Sequence, residues 1–261
     1  MKGMVADLNL QMNESVAGGY RSNSQKTRVI TEKWVENNLF CPCCGNAHIS
    51  HFENNRPVAD FYCQNCLEEY ELKSKKTPIS SKIAGGAYDK MIERIKSSNN
   101  PNFFFMEYDK NDHKIKNLIL IPKYFFVPDI VEKRKPLADT AKRAGWVGCN
   151  IVLKHVPAEG RIYIVKDGVE QSVDKILTNV KKINFMEQYK IDARGWMLDI
   201  LNCVNMMDEE FTLNQMYQFV PALALKHPEN QHIRDKIRQQ LQVLRDKGII
   251  EFHGRGHYKK C

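Results

Sequence analysis

Asp60, Glu71 and Lys73 are the residues best placed to do chemistry: the first closes Pro57-Val58-Ala59-Asp60 and the other two belong to Glu71-Leu72-Lys73. The apolar run from Val58 to Tyr62 reads as a strand, and Tyr70 to Lys73 as its partner. Side chains alternate along a strand, so Glu71 and Lys73 share one face while Leu72 turns towards the core. Two carboxylates beside a lysine then converge on one spot. Carboxylate oxygens suit a hard cation such as Mg2+, which keeps several waters and also binds phosphate. Such an ion stabilises charge on a phosphodiester, while Lys73 orients or helps deprotonate an attacking water. Taken alone, the same residues also read as an exposed, charged hairpin.

The cysteines shift that balance. Cys41-Pro42-Cys43-Cys44 and Cys63-Gln64-Asn65-Cys66 form C-x2-C-x18-C-x2-C, the spacing of a four-thiolate zinc site. Cys41, Cys44, Cys63 and Cys66 are the candidate ligands, Cys43 is spare, and Gly45 eases the backbone behind the first pair. Eight cysteines without an apolar leader point to a reducing cytoplasm, where disulfides are rare and zinc is favoured. A closed four-thiolate site has no open coordination position, so the expected role of Zn2+ is structural. It would clamp the hairpin that carries Asp60 and Glu71. The pattern of two carboxylates and a lysine resembles that of the PD-(D/E)xK nucleases.

The elements that must position these groups follow from periodicity. The chain has 261 residues, a net charge of +8 and a pI near 9.0, which suit an anionic partner, nucleic acid first. No apolar run is long enough to span a bilayer. Residues 1 to 20 read as a loose polar arm. Ser24 to Glu36 reads as an amphipathic helix with Ser24 as its cap. On it the resemblance to those nucleases makes Glu32 a candidate auxiliary metal-site acid, against the plainer reading of a solvated helix-face glutamate. Ser80 to Ser97 reads as a helix, Asn102 to Tyr108 and Asn117 to Ile121 as strands, and Phe103-Phe104-Phe105 as buried core. A further strand at Arg161 to Val165 and a helix at Val173 to Met186 complete an α/β domain over residues 1–190.

Residues 191–261 read as a second, α+β domain. Met197 to Val204 is helical, Thr212 caps a helix reaching Phe219, and His232 to Lys247 is an amphipathic helix ended by Gly248. Ile249 to Phe252, the turn Gly254-Arg255-Gly256 and His257 to Lys259 make a hairpin, so the order is that of a winged helix. From Lys226 onward there are nine Lys or Arg against four Asp or Glu, a balance suited to phosphate contacts. A protein-binding helical module is the other use of such a domain.

Long passages carry a more specific resemblance. They are Tyr20-Arg21-Ser22-Asn23-Ser24-Gln25-Lys26, the run from His51 to Cys63, Glu71-Leu72-Lys73-Ser74-Lys75-Lys76, Asn99-Asn100-Pro101-Asn102-Phe103-Phe104-Phe105, Arg143-Ala144-Gly145-Trp146 and Lys236 to Lys247. By these the chain resembles, nearly end to end, the DpnI family of methyl-directed type II restriction endonucleases. The resemblance implies a PD-(D/E)xK nuclease core with an inserted zinc knuckle, then a winged helix. It implies Mg2+-dependent cleavage of double-stranded DNA at GATC carrying N6-methyladenine. Carried over by motif, Asp60 and Glu71 hold Mg2+, Lys73 serves the water, and the four paired cysteines hold zinc. The chain departs from the family in a longer N-terminal arm, in Cys43 and over Ile183 to Asp192.

Methyl recognition needs its own account. Burying one methyl is worth roughly 0.8 kcal/mol, only a few-fold in affinity. Strong selectivity therefore needs two methyls read together, rejection by shape, or successive readings by both domains. Trp146, beside Arg143 in a Gly-containing loop, is the candidate in the first domain, with a packed core tryptophan as the equal alternative. On the recognition helix Gln239 and Gln242 could meet adenine edges. Arg234, Arg238 and, in the wing, Arg255 are candidates for DNA contact, and Trp196 is expected to pack the winged helix. The competing reading is a zinc-containing winged-helix regulator whose acidic triad is incidental. A single active site per chain leaves a monomer nicking twice and a transient pair on DNA both open.

Overall fold

Phe103, Phe104 and Phe105 are fully buried, and the first core is built around them. The computed structural model describes residues 8–53, 59–79, 81–97 and 100–261. Val58, at the start of the expected strand, Pro57 before it, and Ser80, at the start of the expected helix, lie outside those residues. The chain divides into one unit of Met1–Lys154 with Glu159–Asn184, and another of His155–Ala158 with Phe185–Cys261.

In chain order the first unit carries α1 (Asn23–Asn38), β1 (Ser50–His51), β2 (Phe61–Tyr62), β3 (Glu69–Lys75), β4 (Lys82–Ala87), α2 (Tyr88–Lys96), β5 (Asn102–Tyr108), β6 (Ile115–Ile121), β7 (Val131–Lys133), β8 (Gly148–Val152), β9 (Ile162–Lys166), β10 (Val169–Glu170) and α3 (Val173–Ile183). Among the described residues the main sheet has the order β1-β2-β3-β5-β6-β9-β10. β3 and β5 are parallel, and the other neighbours are antiparallel. Parallel neighbours need a crossover, and here it holds β4 and α2. β4 joins β8 and β7 in a separate small sheet. Tyr70 on β3 stacks on Phe104 with ring centroids 4.8 Å apart, and Phe103 stacks on Phe126 at 4.2 Å. α1 packs on β3, where the Thr31 and Ser74 hydroxyls meet at 3.4 Å.

Three expectations are corrected in this unit. The helix expected from Ser80 to Ser97 is a strand, Lys82–Ala87, followed by a helix confined to Tyr88–Lys96. Gly85 and Gly86 are poor helix formers, and β8 offers a ladder through Lys82↔Val152 and Ile83↔Ile151. Close packing also favours glycine, since a Cβ on Gly85 would come within 2.5 Å of Cys149 Sγ. The arm is not loose over residues 8–20. Leu8, Met12 and Ala17 are buried, Gln11 bridges to Lys114, and Trp34 Nε1 donates to the Asn9 carbonyl at 2.6 Å. Finally, α1 begins one residue before Ser24, with Ser22 as its N-cap.

The second unit carries α4 (Ile191–Asn205), β11 (Glu210–Thr212), α5 (Leu213–Met216), α6 (Val220–Lys226), α7 (Ile233–Asp246), β12 (Ile250–Gly254) and β13 (His257–Lys260). Thr212 forms a capping box with Gln215, the reciprocal pairing that satisfies two free helix-end donors. α6 was not foreseen, because Pro221 interrupts the pattern; as an early residue of a new helix it is tolerated. Ile233, Ile237, Leu241 and Leu244 bury one face of α7, and Gly248 follows it with φ +65°. β12 and β13 form the wing, and β11 pairs with β13, giving the order β11-β13-β12. Trp196 is buried and stacks on His227 at 3.7 Å, as packing of this domain required. Among the described residues no helix is long and apolar enough to cross a membrane.

Candidate active site and metal centre

Two tight turns bring the cysteines together. After Cys41 the Gly45 amide returns to the Cys41 carbonyl at 2.8 Å; after Cys63 the Leu67 amide returns to the Cys63 carbonyl at 2.9 Å. Gly45 has φ +79° and Leu67 φ +62°, so each turn closes in the left-handed region. The Sγ atoms of Cys41, Cys44, Cys63 and Cys66 all lie within 4.8 Å of one another, with Cys41–Cys66 and Cys44–Cys63 each at 3.6 Å. Tetrahedral coordination at about 2.3 Å per thiolate requires sulfurs about 3.8 Å apart. The donor set therefore fits Zn2+, and the cluster can hold it. Cys43 stands outside the four. The neighbouring Cys43 thiol holds the Cys41 thiol down to about 4 against burial, and the Tyr70 hydroxyl, 3.0 Å away, adds to this. Cys43 itself is pushed up by the nearby Cys41 and by burial.

The second turn is the loop between β2 and β3, so the cluster sits at the end of the hairpin carrying the acidic residues. Asp60 immediately precedes β2. Its amide donates to the Tyr70 carbonyl at 2.9 Å, and its Oδ2 accepts the Leu72 amide at 2.7 Å. Continuing the Phe61↔Tyr70 register by one residue sets Asp60 opposite Glu71, and opposite residues share a face. Lys73 lies on that face too, and its Nζ is paired with Glu71 Oε1. Leu72, between them on the strand, is half-buried. The cleft has a volume of about 780 Å³ and brings Asp60, Glu71 and Lys73 together with Arg28 and Glu32 of α1 and Lys82 of β4.

Glu32 is not a solvated helix residue. Its Oε1 accepts Arg28 Nε at 2.6 Å and its Oε2 meets His51 Nε2 at 3.1 Å. The Arg28 guanidinium is held above its ordinary value by Glu32, with Asp60 adding to the effect. Arg28 and His51 were missed in the sequence. The four-residue spacing of Arg28 and Glu32 was a readable signal; the position of His51 on β1 was not. Behind the site the buried Cys149 thiol is pushed up by burial, against the pull of Lys73.

The other candidates are dispersed. Trp146 is half-buried, its ring overlying Gly148, with the exposed Arg143 guanidinium 4.6 Å from the ring centroid. On α7, Arg234, Arg238 and Gln242 are exposed at four-residue intervals and so share one stripe. Arg234 lies 5.0 Å from the Tyr217 ring centroid, while Arg238 reaches the Tyr217 hydroxyl at 3.4 Å and pairs with Asp235. Gln239 is exposed off this stripe and accepts from Lys236 Nζ at 2.8 Å. Arg255 is exposed at the wing turn with φ +49°.

A central mixed sheet with a four-cysteine knuckle on its edge hairpin, followed by helices and a β-wing, defines the class: an α/β nuclease core joined to a winged-helix domain. Residues 8–189 match the model of the Dam-replacing family, DpnI, and residues 192–260 match that of the Dam-replacing HTH domain. The chain belongs to this family of restriction endonucleases, and its second domain is of the DNA-binding helix-turn-helix kind.

Proposed function

We propose that the protein is a Mg2+-dependent endonuclease that hydrolyses double-stranded DNA at GATC sites carrying N6-methyladenine. The observation that carries this reading is the placement of Asp60 opposite Glu71, with Lys73 on the same face of one cleft. In it, residues 1–190 are the catalytic domain and residues 191–261 the winged-helix reader. Asp60 and Glu71 are the residues that would hold Mg2+, their oxygens being the donors a hard cation takes. When bound, that ion supplies positive charge against the developing charge on the phosphodiester. The Leu72 amide fixes the Asp60 carboxylate on the Glu71 side, so the two acids are aligned before DNA arrives. Lys73 orients the attacking water by hydrogen bonding and assists loss of its proton.

Methyl selectivity is assigned to two readings in sequence. Trp146 offers an apolar ring edge in the catalytic domain, and Arg143, stacked on it, offers charge to a nearby phosphate. On the winged helix, Arg234, Arg238 and Arg255 neutralise phosphates while Gln239 and Gln242 meet base edges. A GATC-containing plasmid, adenine-methylated or unmethylated, tests the proposal with Mg2+ or chelator, using wild type and Asp60→Ala. Cleavage of the methylated plasmid alone, dependent on Mg2+ and on Asp60, is the expected result. Cutting both plasmids would remove the methyl requirement, and tight binding with no cutting anywhere would make the protein a regulator.

A further inference from the structure

Arg28 faces the same cleft as the two carboxylates, yet nothing in the reaction described above uses it. It is the outer member of a chain of three. Arg28 Nε donates to Glu32 Oε1 at 2.6 Å, and Glu32 Oε2 meets His51 Nε2 at 3.1 Å. The middle member is the most buried: side-chain exposure is 49% for Arg28, 12% for Glu32 and 20% for His51. His51 is fixed in turn by edge-to-face contact with Phe61, the residue next to Asp60, at a centroid distance of 5.1 Å.

This arrangement has two consequences. First, both oxygens of Glu32 are engaged by side chains, so its geometry is that of a residue holding a guanidinium rather than one offering a carboxylate to the cleft. Second, a guanidinium has five donors in a planar fork, and the contact with Glu32 uses Nε alone. Among the described residues the two Nη groups make no hydrogen bond, and Asp60 acts on the guanidinium electrostatically. An arginine that lines a cleft and is held through Nε alone keeps its Nη donors for a phosphate oxygen pair.

We propose that Arg28 grips a DNA phosphate at the reacting centre, and that Glu32 and His51 are positioning residues that order it beforehand. Restricting the long arginine side chain before DNA binds removes a cost that would otherwise fall on the bound complex. The proposal rests on the nuclease reading for its rate effect, but not for its effect on binding.

The test compares Arg28→Ala, Arg28→Lys and Glu32→Gln with wild type. Binding to a methylated GATC duplex is measured in chelator over a range of salt, and cleavage in Mg2+, with melting curves to show that each variant is folded. Losing one phosphate contact should make the slope of log affinity against log salt shallower by about 0.9 in Arg28→Ala. Its kcat/KM should fall by about 10- to 100-fold, the loss expected for a charge-assisted hydrogen bond. Arg28→Lys should restore the slope and not the rate, because a point charge replaces the fork. Glu32→Gln should lower kcat and leave both the slope and the Mg2+ concentration for half-maximal rate unchanged.

An unchanged slope in Arg28→Ala with a rate within about twofold of wild type would overturn the proposal. A raised Mg2+ requirement in Glu32→Gln would overturn the role given to Glu32 and make it a metal-site acid. If wild type does not cut, the nuclease reading fails by itself, and the salt slope still decides whether Arg28 contacts phosphate.

Discussion

Replacing Cys63 by serine should disable the acidic site without touching it, while replacing Cys43 should not. The ladder at the hairpin edge is short: β1 and β2 pair through two residues each, as do β2 and β3. At about 1 kcal/mol net per hydrogen bond, that ladder contributes only a few kcal/mol. A structural zinc contributes an apparent ~10–16 kcal/mol near neutral pH, comparable with the whole stability of a domain, ~5–15 kcal/mol. A zinc held by the four cysteines would outweigh that ladder, and its loss should loosen β2 against β3 and Asp60 against Glu71. Cys43 lies outside the four sulfurs that meet within 4.8 Å, so Cys43→Ser should keep one equivalent of zinc. Zinc content, amide exchange at Phe61, Tyr62 and Tyr70, and plasmid cleavage together read the effect. A zinc-free Cys63→Ser protein with wild-type protection and cleavage would refute the reasoning, as would equal zinc loss in Cys43→Ser.

Other perturbations follow from single contacts. Gly148→Ala places a Cβ 2.7 Å from Trp146 Cζ3 and 2.8 Å from Cη2, so the ring must swing away; denaturant unfolding should show a loss of about 1–3 kcal/mol, and cleavage assays a weaker preference for methylated DNA. Phe104→Ala removes a fully buried ring stacked on Tyr70, and denaturant unfolding should show a loss of about 3–5 kcal/mol. The Cys203 thiol is pushed up from 9.0 to about 12 by burial, so the folded chain keeps its proton where the unfolded chain has lost it. That contribution is complete below pH 9.0 and lost as pH rises towards about 12; unfolding midpoints should fall over that window in wild type and less in Cys203→Ala. Arg238→Ala should weaken binding to any duplex and reduce the salt slope by about 0.9, measured by fluorescence anisotropy.

The four-cysteine cluster that could hold zinc was legible because metal chemistry sets the spacing along the chain: two short turns, each closed by a residue at positive φ, need only local sequence. Strand alternation put Glu71 and Lys73 on one face, and the periodicity of α7 and the glycine after it marked the winged helix. What stayed hidden depended on partners distant in sequence. Lys82–Ala87 is a strand because β8 supplies a ladder more than sixty positions away, with Gly85 and Gly86 at its register shift. Leu8 and Met12 are ordered because the sheet gives them a surface to cover, not because of their own propensity. Glu32 looked like a solvated helix residue because its second partner, His51, arrives on another element. Local chemistry and period 2 or 3.6 patterning belong to the sequence by itself. Which side chains share the cleft was decided only by the tertiary structure, since closing a long loop brings no contact energy until its ends meet.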